Sequence, residues 1–168
     1  VVSSSIRLQQ FEFYDDSDYD PTAEGLWVIG IGNNIFRKRI AEEVLKGKRF
    51  ISTFSANSTC HSSSNIGEGT QVMAGANIQM GTSIGSHSVI NTAASVDHGC
   101  TLGKYSFIGP NATLCGGVTV GECSFIGAGA VILPYIKIGK NCMIGAGSVV
   151  TKDIPDNSTA YGNPAKIK

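Results

Sequence analysis

The chain has 168 residues, and its 13 basic and 13 acidic side chains give no formal net charge. The length suits one domain with a small additional element, and the balanced charge argues against a nucleic-acid-binding protein, which would carry a basic excess. No apolar run approaches the length of a transmembrane helix, and no signal peptide is visible at Val1. The five cysteines form no CxxC pair, and their odd number does not suit a disulfide framework, so we expect a reducing, cytoplasmic setting.

Residues 1–59 differ in character from the rest of the chain and predict a small α/β unit. Asn33 or Asn34 is suited to cap its helix, and Gly47 suits the position just past the helix end. A complete nucleotide-binding unit would open with a strand and a Gly-rich loop, which the given chain lacks, so we expect a partial, Rossmann-like unit. The predicted elements in chain order are a strand at Ile6–Tyr14, a strand at Leu26–Ile31, a helix from about Ile35 to Lys46 and a strand at Arg49–Phe54.

The start of this helix allows two interpretations. A helix N-terminus presents free N–H groups that bind anions, and Arg37, Lys38 and Arg39 would add positive charge there. A capped helix with a solvated basic face explains the same residues and is the simpler interpretation.

From Ile66 to Pro155 the sequence follows an unbroken period of six. All fifteen hexads begin with an aliphatic residue, the fifth residue is small or modest in size, and glycine often comes second, where we expect it to relieve crowding and to allow positive φ. A fixed short period is typical of a solenoid. Three hexads close one triangular coil, so the fold class is mainly β, with about five coils of a parallel β-helix at residues 60–157 and a C-terminal tail at 158–168. The period alone does not give the handedness, but the hexad signature is that of the left-handed parallel β-helix. This handedness is an exception to the usual crossover rule.

His98 is the histidine best placed for chemistry. It is the third residue of its hexad, at an outward-facing corner of the coil on which Gly116 and Pro134 are expected to stack. Asp97 precedes it and would add a nearby negative charge. An imidazole at such a corner would project into a groove between neighbouring prisms.

The other two histidines give no sign of a metal site. For His61 and His87 we expect a simple surface role. Zinc enzymes of the γ-carbonic-anhydrase kind build a three-histidine site on such a prism, but the eleven-residue spacing from His87 to His98 gives no close ligand pair. No metal is therefore expected.

Several segments together resemble one family of bacterial sugar acetyltransferases. The chain is similar to the family of the sialic acid O-acetyltransferase NeuD and the bacillosamine-pathway N-acetyltransferase PglD. The hexads alone are common to many acyltransferases, whereas the combination of a Gly-Asn-Asn helix start with N-T-x-x-x-V-D-H is much more specific. The matching segments are FYDD at Phe13–Asp16, VIGIGNNIFRKRIAEEV at Val28–Val44, INTAASVDH at Ile90–His98, ATLCGGVTVGECSFIGAGAVILP at Ala112–Pro134, IKIGKNCMIGAGSVVTKDIPD at Ile136–Asp156 and GNPAK at Gly162–Lys166.

The resemblance implies both an architecture and a mechanism. An N-terminal α/β unit would bind the nucleotide sugar, the β-helix would bind acetyl-CoA as co-substrate, and homotrimers would place active sites between prisms. His98 would be the general base that takes a proton from the acceptor as it attacks the thioester, and Asn91 would help to position the acceptor. Some members carry a carboxylate directly after the catalytic histidine, where this chain has Gly99, and either Asp97 or another group would act in its place.

The resemblance also implies binding residues for both substrates. Some members have a second histidine that contacts the coenzyme nine residues after the first, where this chain has Phe107. The implied coenzyme contacts are Phe107, Gly116, Ala128 and Ala146, and the candidate acceptor contacts are Asp15, Asp16 and Asn33.

Three functions remain open at this point. The first is N-acetylation of a nucleotide-linked UDP-4-amino sugar in glycan synthesis, and O-acetylation of a sialic acid or related sugar is its alternative within the same class. A non-catalytic β-helix that serves in binding or structure is a second possibility, which Gly99 and Phe107 favour slightly. A zinc enzyme is the third.

Overall fold

The N-terminal part of the structure is a short α/β unit. The computed structural model describes residues 24–168, so the predicted strand at Ile6–Tyr14 lies outside the described residues, as do Asp15 and Asp16. Asn33 caps the helix, because its side-chain oxygen accepts a hydrogen bond from the backbone N–H of Phe36 at 3.0 Å. The elements are strand β1 at Leu26–Trp27, helix α1 at Asn34–Arg39, a π-helical continuation at Ile40–Val44, and strand β2 at Arg49–Phe50, which pairs in parallel with β1.

The two predicted strands that lie within the described residues, Leu26–Ile31 and Arg49–Phe54, are shorter than the sequence indicates. The ladder between β1 and β2 contains two residue pairs, and beyond it the carbonyl of Ile29 accepts a hydrogen bond from Gln71 Nε2 at 2.8 Å. Thr53–Phe54, predicted as the end of the second strand, starts the solenoid instead. The unit is therefore attached to the solenoid by side chains rather than extended as a sheet of its own.

Each hexad of the solenoid forms one two-residue strand that ends on its first, inward-facing residue. Strands eighteen residues apart pair in parallel, and the result is a three-sided parallel β-solenoid, as predicted. The strands are β3 Thr53–Phe54, β4 Thr59–Cys60, β5 Asn65–Ile66, β6 Gln71–Val72, β7 Asn77–Ile78, β8 Ser83–Ile84, β9 Val89–Ile90, β10 Ser95–Val96, β11 Thr101–Leu102, β12 Phe107–Ile108, β13 Thr113–Leu114, β14 Thr119–Val120, β15 Phe125–Ile126, β16 Val131–Ile132, β17 Lys137–Ile138, β18 Met143–Ile144 and β19 Val149–Val150.

The solenoid has about six turns, one more than the fifteen regular hexads account for. The additional coil includes β3 and β4, whose inward positions hold Phe54 and Cys60 instead of an aliphatic residue. At the other end the tail forms a hairpin, in which β20, Thr159–Gly162, pairs in parallel with β18 and antiparallel with β21, Ala165–Ile167. This hairpin covers the last coil of one sheet.

The core is a stack of the aliphatic first residues, and most of them are fully buried. The small fifth residues also face inward. Where a serine stands there, its hydroxyl is hydrogen-bonded inside the prism: Ser88 Oγ donates to the Gly85 carbonyl at 2.8 Å, and Ser124 Oγ donates to the Gly139 carbonyl at 2.6 Å. These bonds satisfy polar atoms that would otherwise be costly to bury.

The second-position glycines relieve crowding, as predicted, but the expectation that they adopt positive φ is wrong. None of them has a left-handed backbone. They are needed for close packing, because a Cβ on Gly103 or Gly127 would lie 2.5 Å from a backbone nitrogen of the next coil. The left-handed residue is the fourth of every regular hexad except the last, and these residues are Gly69, Gly75, Gly81, His87, Ala93, Gly99, Tyr105, Asn111, Gly117, Cys123, Gly129, Tyr135, Asn141 and Gly147.

Helix α1 is fastened to the solenoid by a buried guanidinium group. Arg37 is fully buried, and its Nε donates to the His87 carbonyl at 2.7 Å, while Nη2 donates to the Tyr105 carbonyl at 2.9 Å. Asn34 Nδ2 donates to the carbonyls of Cys123 and Ser124 at 3.0 and 3.1 Å. Burial lowers the pKa of Arg37 to about 10, so the group stays charged at neutral pH.

These contacts show that neither interpretation of the helix start is fully correct, since Arg37 is buried against the solenoid and does not belong to a solvated face. Arg37 faces the interface with the solenoid, and Lys38 forms an ion pair with Glu122 at 2.5 Å. At the surface, Arg39 Nε lies 3.5 Å from Glu43 Oε2. The basic residues are therefore not gathered around an anion site. Within residues 24–168, no helix is both long enough and apolar enough to span a membrane.

Candidate active site

His98 lies at an exposed corner whose backbone is held firmly. The backbone N–H of Gly99 donates to the Met80 carbonyl at 3.0 Å, and that of Gly117 donates to the His98 carbonyl at 2.9 Å. The Asp97 carboxylate accepts a hydrogen bond from the backbone N–H of His98 at 2.6 Å, so this bond fixes the turn and not the imidazole. The contribution of Asp97 to proton transfer stays a prediction.

Gly116 and Pro134 stack on this corner as predicted, and the imidazole lies against Gly116. A Cβ built on Gly116 would be 2.7 Å from His98 Nε2 and 2.8 Å from Cε1. The neighbouring Gly117 has φ of +71°, and a Cβ there would be 2.5 Å from Cδ1 of Tyr135. The His98 ring thus packs against Gly116, and the Tyr135 ring packs against Gly117 from the opposite side of the turn.

Large apolar side chains are exposed along the same edge of the prism. Met80, one coil before His98, is 55% exposed, and Tyr135, two coils after it, is 74% exposed. Leu133 is also exposed. Exposed apolar residues gathered around a candidate reactive group indicate a surface that binds another molecule.

A cleft of about 140 Å³ lies between the N-terminal unit and the solenoid, next to the corner before that of His98. Among the predicted site residues, it contains Asn91 and Phe107. The Asn91 side-chain oxygen accepts hydrogen bonds from Thr92, through N at 2.7 Å and Oγ1 at 3.3 Å, so its NH₂ group is the part not used in that turn. Phe107 stacks on Phe125 with ring centroids 4.7 Å apart. The full lining is Gly30, Ile31, Gly32, Gln71, Met73, Val89, Asn91 and Phe107.

Sequence reasoning missed most of this lining. Gly30 and Gly32 form the turn between β1 and α1, and a glycine-rich turn after a strand was the available signal. Met73 and Val89 gave no signal, because they belong to the cleft only once the N-terminal unit is folded against this sheet. The side-chain oxygen of Asn33, a predicted acceptor contact, is engaged in capping α1.

The structure separates the predicted catalytic residues. Asn91 follows β9 at one corner of the triangular coil, whereas His98 follows β10 at the next corner. A turn at residues 92–93 is followed by extended chain up to His98, and at roughly 3.3 Å per extended residue the two corners are on the order of 10–20 Å apart. Asn91 and His98 of one copy therefore stand at different corners rather than side by side.

Ala128 and Ala146 stack on the corner column that starts beside Asn91. The backbone N–H of Gly129 donates to the Pro110 carbonyl, and that of Gly147 donates to the Ala128 carbonyl, both at 2.8 Å. Both alanines are exposed, so this column offers a smooth edge above the cleft. Their contact with a coenzyme stays a prediction.

The expected surface role of His87 is wrong, whereas His61 is exposed and bonded to Ser63 at 2.9 Å. His87 is 5% exposed, because the N-terminal unit covers it: Phe50 approaches its ring edge-on at 4.5 Å, and Tyr105 stacks on it at 5.2 Å. Burial is the main cause that lowers the pKa of His87. In the described part of the chain, no cluster of three or more His, Cys, Asp or Glu side chains could hold a metal ion.

A solenoid of this kind, with a histidine at one corner and a cleft beside the next, is typical of hexapeptide-repeat transferases. The family described as bacterial transferase hexapeptide (six repeats) matches residues 99–134 and 117–152. No curated protein sequence matched the chain at a significant level.

Several solved structures of sugar acetyltransferases are similar over most of the chain. PerB from Caulobacter crescentus, in complex with CoA and GDP-perosamine, is 40% identical with a TM-score of 0.83, and the match covers 85% of this chain and 70% of PerB. Variants of the perosamine N-acetyltransferase of that organism with one histidine replaced by asparagine or alanine hold the same ligands. The acetyltransferase domain of PglB from Neisseria gonorrhoeae, in complex with acetyl coenzyme A, is 38% identical with a TM-score of 0.82, covering 84% of this chain and 69% of that one.

WeeI from Acinetobacter baumannii is 29% identical with a TM-score of 0.83, and the match covers 89% of this chain and 73% of WeeI. The chain belongs to the family of hexapeptide-repeat sugar N-acetyltransferases that PerB and the PglB domain represent. The family and the class of enzyme predicted from the sequence are thereby confirmed.

Proposed function

We propose that this chain transfers the acetyl group of acetyl-CoA to the amino group of a nucleotide-linked 4-amino sugar, with His98 as the general base. The observation that carries the proposal is the exposed His98 imidazole, held on a rigid corner of a solenoid that is 40% identical to PerB, an enzyme crystallised with CoA and GDP-perosamine. The proposed setting is cytoplasmic, and the cysteines at positions 60, 100, 115, 123 and 142 are free thiols, which suits that setting.

The reaction needs one proton acceptor and no covalent acyl-enzyme. The acceptor amine attacks the thioester carbonyl of acetyl-CoA, and the neutral His98 imidazole takes the proton that the amine loses. The tetrahedral intermediate then breaks its carbon–sulfur bond, and the imidazolium returns the proton to the departing CoA thiolate. The products are the N-acetylated sugar and CoA, and the histidine ends in its starting state. Backbone N–H groups could stabilise the negative oxygen of the intermediate.

The site is proposed to form between two copies of the chain in a homotrimer. Asn91 and His98 occupy different corners, so one copy would supply His98 while its neighbour supplies Asn91 and the cleft. Two observations support this arrangement. The cleft, at about 140 Å³, is smaller than the roughly 300–1,000 Å³ of typical small-molecule pockets, as expected if a wall is missing. The exposed Met80 and Tyr135 beside His98 could supply that wall.

The two substrates would approach the site from opposite directions. The nucleotide sugar would lie against the Gly30–Gly32 turn and Asn33, with its amino group toward Asn91. The pantetheine arm of acetyl-CoA would follow the groove past Ala128 and Ala146 and past the ring of Phe107. Asp15 and Asp16 lie outside the described residues and stay predicted acceptor contacts.

The acceptor is a 4-amino sugar by analogy with the GDP-perosamine of PerB, and its nucleotide is either GDP or UDP. O-acetylation of a sialic acid uses the same base, but the N-acetylating relatives favour the amine. A non-catalytic prism would not need a histidine that stays exposed on the edge of a groove.

Turnover assays with matched histidine variants test this function. We would measure release of the CoA thiol from acetyl-CoA with GDP-perosamine and with a panel of UDP-4-amino sugars. His98→Ala should lower kcat about 10²–10⁴-fold, the usual contribution of a general base. His61→Ala, which removes another exposed histidine, should leave the rate unchanged. If His98→Ala kept the parent rate on an acceptor that is turned over, the assignment of the base would be wrong.

A further inference from the structure

Gly116 breaks a regularity of the solenoid. It is the third residue of its hexad, a turn position where glycine is not otherwise found from Cys60 onward, and its backbone is not left-handed. The corresponding third residues all carry side chains: Ser62, Glu68, Ala74, Met80, Ser86, Thr92, His98, Lys104, Pro110, Glu122, Ala128, Pro134, Lys140, Ala146 and Lys152. The turn therefore does not require glycine for its own conformation.

The space that a side chain on Gly116 would occupy is filled by the imidazole of His98. The three atoms nearest to a Cβ at this position are all in that ring: Nε2 at 2.7 Å, Cε1 at 2.8 Å and Cδ2 at 3.4 Å. Real Cβ atoms essentially never approach other heavy atoms within 3.0 Å, so even an alanine would force the ring to move. The ring of His98 thus lies along the prism edge, over the backbone of the next coil.

We propose that Gly116 is a positioning residue for His98, an inference that rests on the proposed function. By having no side chain, it lets the imidazole lie against the next coil and keeps Nε2 at one place on the edge. A general base must stay within hydrogen-bond reach of the amine, and a displacement of about 1 Å can cost about 10²-fold in rate. Gly116 then acts on the reaction through the orientation of His98.

The competing explanation is that Gly116 is small so that the coenzyme can approach the backbone. The two explanations differ in what Gly116→Ala changes. If Gly116 positions His98, the variant should lose kcat about 10–100-fold, while the Kd for CoA measured by calorimetry stays within about twofold. If Gly116 only admits the coenzyme, the affinity for CoA should fall whether or not His98 is present.

The decisive experiment is a cycle of the parent, Gly116→Ala, His98→Ala and the double variant. Because the three atoms nearest to the new methyl group all belong to the imidazole, Gly116→Ala should lower kcat in the parent and should leave the residual rate of the His98→Ala background unchanged. Its effect on the melting temperature should be less favourable in the parent than in the His98→Ala background, where the methyl group has room and alanine only restricts the unfolded chain. The NMR signal of the His98 Cε1 proton should also shift in Gly116→Ala. These three results together support the proposal.

Other outcomes would overturn it. An equal loss of melting temperature in both backgrounds would mean that the methyl group meets something other than His98. A parent-like kcat for Gly116→Ala, or weakened CoA binding in both backgrounds, would also exclude the positioning role. Should Gly116→Ala not fold, the double variant is expected to fold, and its failure to do so would count against the proposal as well. A His98→Ala variant with full activity would instead refute the proposed function, while the stability cycle would still test the contact.

Discussion

A single buried imidazole should make the folded state sensitive to acid. His87 lies between Phe50 and Tyr105, and no hydrogen-bond partner for its Nδ1 is found among residues 24–168. Burial lowers its pKa below the usual value of about 6.5, and the charges that face it are those of Glu68, Arg37, Lys104 and Glu42. Below about pH 6.5 the unfolded chain therefore binds the proton more readily than the folded one, and stability falls as the pH is lowered.

His87→Phe should remove this part of the pH dependence. The phenyl ring can keep the stacking contacts, and no hydrogen bond from Nδ1 is lost. We expect the melting temperature of the variant to fall less than that of the parent between pH 8 and pH 5. His61→Phe, at an exposed histidine, is the control and should keep the parent slope. Identical slopes for the parent and His87→Phe would contradict the prediction.

Two glycines of one hexad should differ sharply in what they contribute to stability. A Cβ on Gly127 would lie 2.5 Å from the backbone nitrogen of Ala146, and backbone cannot move aside easily. Gly129 has φ of +65° but open space around it, so alanine there should cost only about 1–2 kcal/mol for the left-handed backbone, which Ala93 already adopts at the same hexad position. Urea unfolding should show Gly127→Ala to be clearly the less stable variant, and the reverse order would refute this account.

Features of single residues could be predicted where they depend on neighbours in the sequence, and were missed where they depend on contacts with distant parts of the chain. The inward aliphatic position and the outward corner of His98 follow from the period alone, because every coil repeats them. For the second-position glycines, the prediction of relieved crowding was correct but could not name the atoms that they must avoid, because these lie sixteen to nineteen residues away in the next coil. The burial of His87 was missed for a similar reason, since it depends on a separate unit folding over that corner.

At the level of elements, the attachment of α1 should depend on Arg37. Its guanidinium donates to carbonyls of both the N-terminal unit and the solenoid, including those of Ile31 and Tyr105. Replacing it by methionine leaves several buried carbonyls without a donor, and hydrogen bonds from a charged group are worth about 1.5–3 kcal/mol each. Arg37→Met should therefore weaken the docking of α1 by about 3 kcal/mol or more.

Amide hydrogen exchange can localise this effect. Protection should fall in α1 and its π-helical continuation, whereas the solenoid core should keep its protection, because its strands pair with each other. Lys38→Met is the matched control, since its ion pair with Glu122 is about one-third exposed and such pairs contribute about 0–1 kcal/mol. An equal loss of amide protection in α1 for Arg37→Met and Lys38→Met would show that Arg37 is not the main attachment of the helix to the solenoid.

The elements themselves were largely predictable, but their contacts were not. The N-cap of α1 could be predicted from the sequence, because the Asn33 side chain accepts a hydrogen bond from the backbone N–H of Phe36, only three residues away. The partners of Arg37 lie 50 and 68 residues away along the chain, so the same three basic residues suggested a solvated face. The coil formed by β3 and β4 was missed because Phe54 and Cys60 interrupt the aliphatic pattern.

At the scale of the whole molecule, the separation of Asn91 from His98 predicts how much activity should appear when two inactive variants are combined in one trimer. If one copy supplies His98 and the next supplies Asn91, two inactive variants can complement each other. In trimers assembled at random from equal amounts of His98→Ala and Asn91→Ala chains, about a quarter of the sites would join an intact His98 to an intact Asn91. Co-expressed chains should therefore recover up to about a quarter of the parent activity.

The control for this experiment replaces the Asn91→Ala chain with the double variant His98→Ala/Asn91→Ala, which can complete no site. Purified mixed assemblies would be assayed with acetyl-CoA and the best acceptor, after confirming that each single variant is inactive by itself. Recovery above the control supports a site shared between copies. Activity no higher than the control, in assemblies shown by mass spectrometry to contain both chains, would mean that each site takes both residues from one copy.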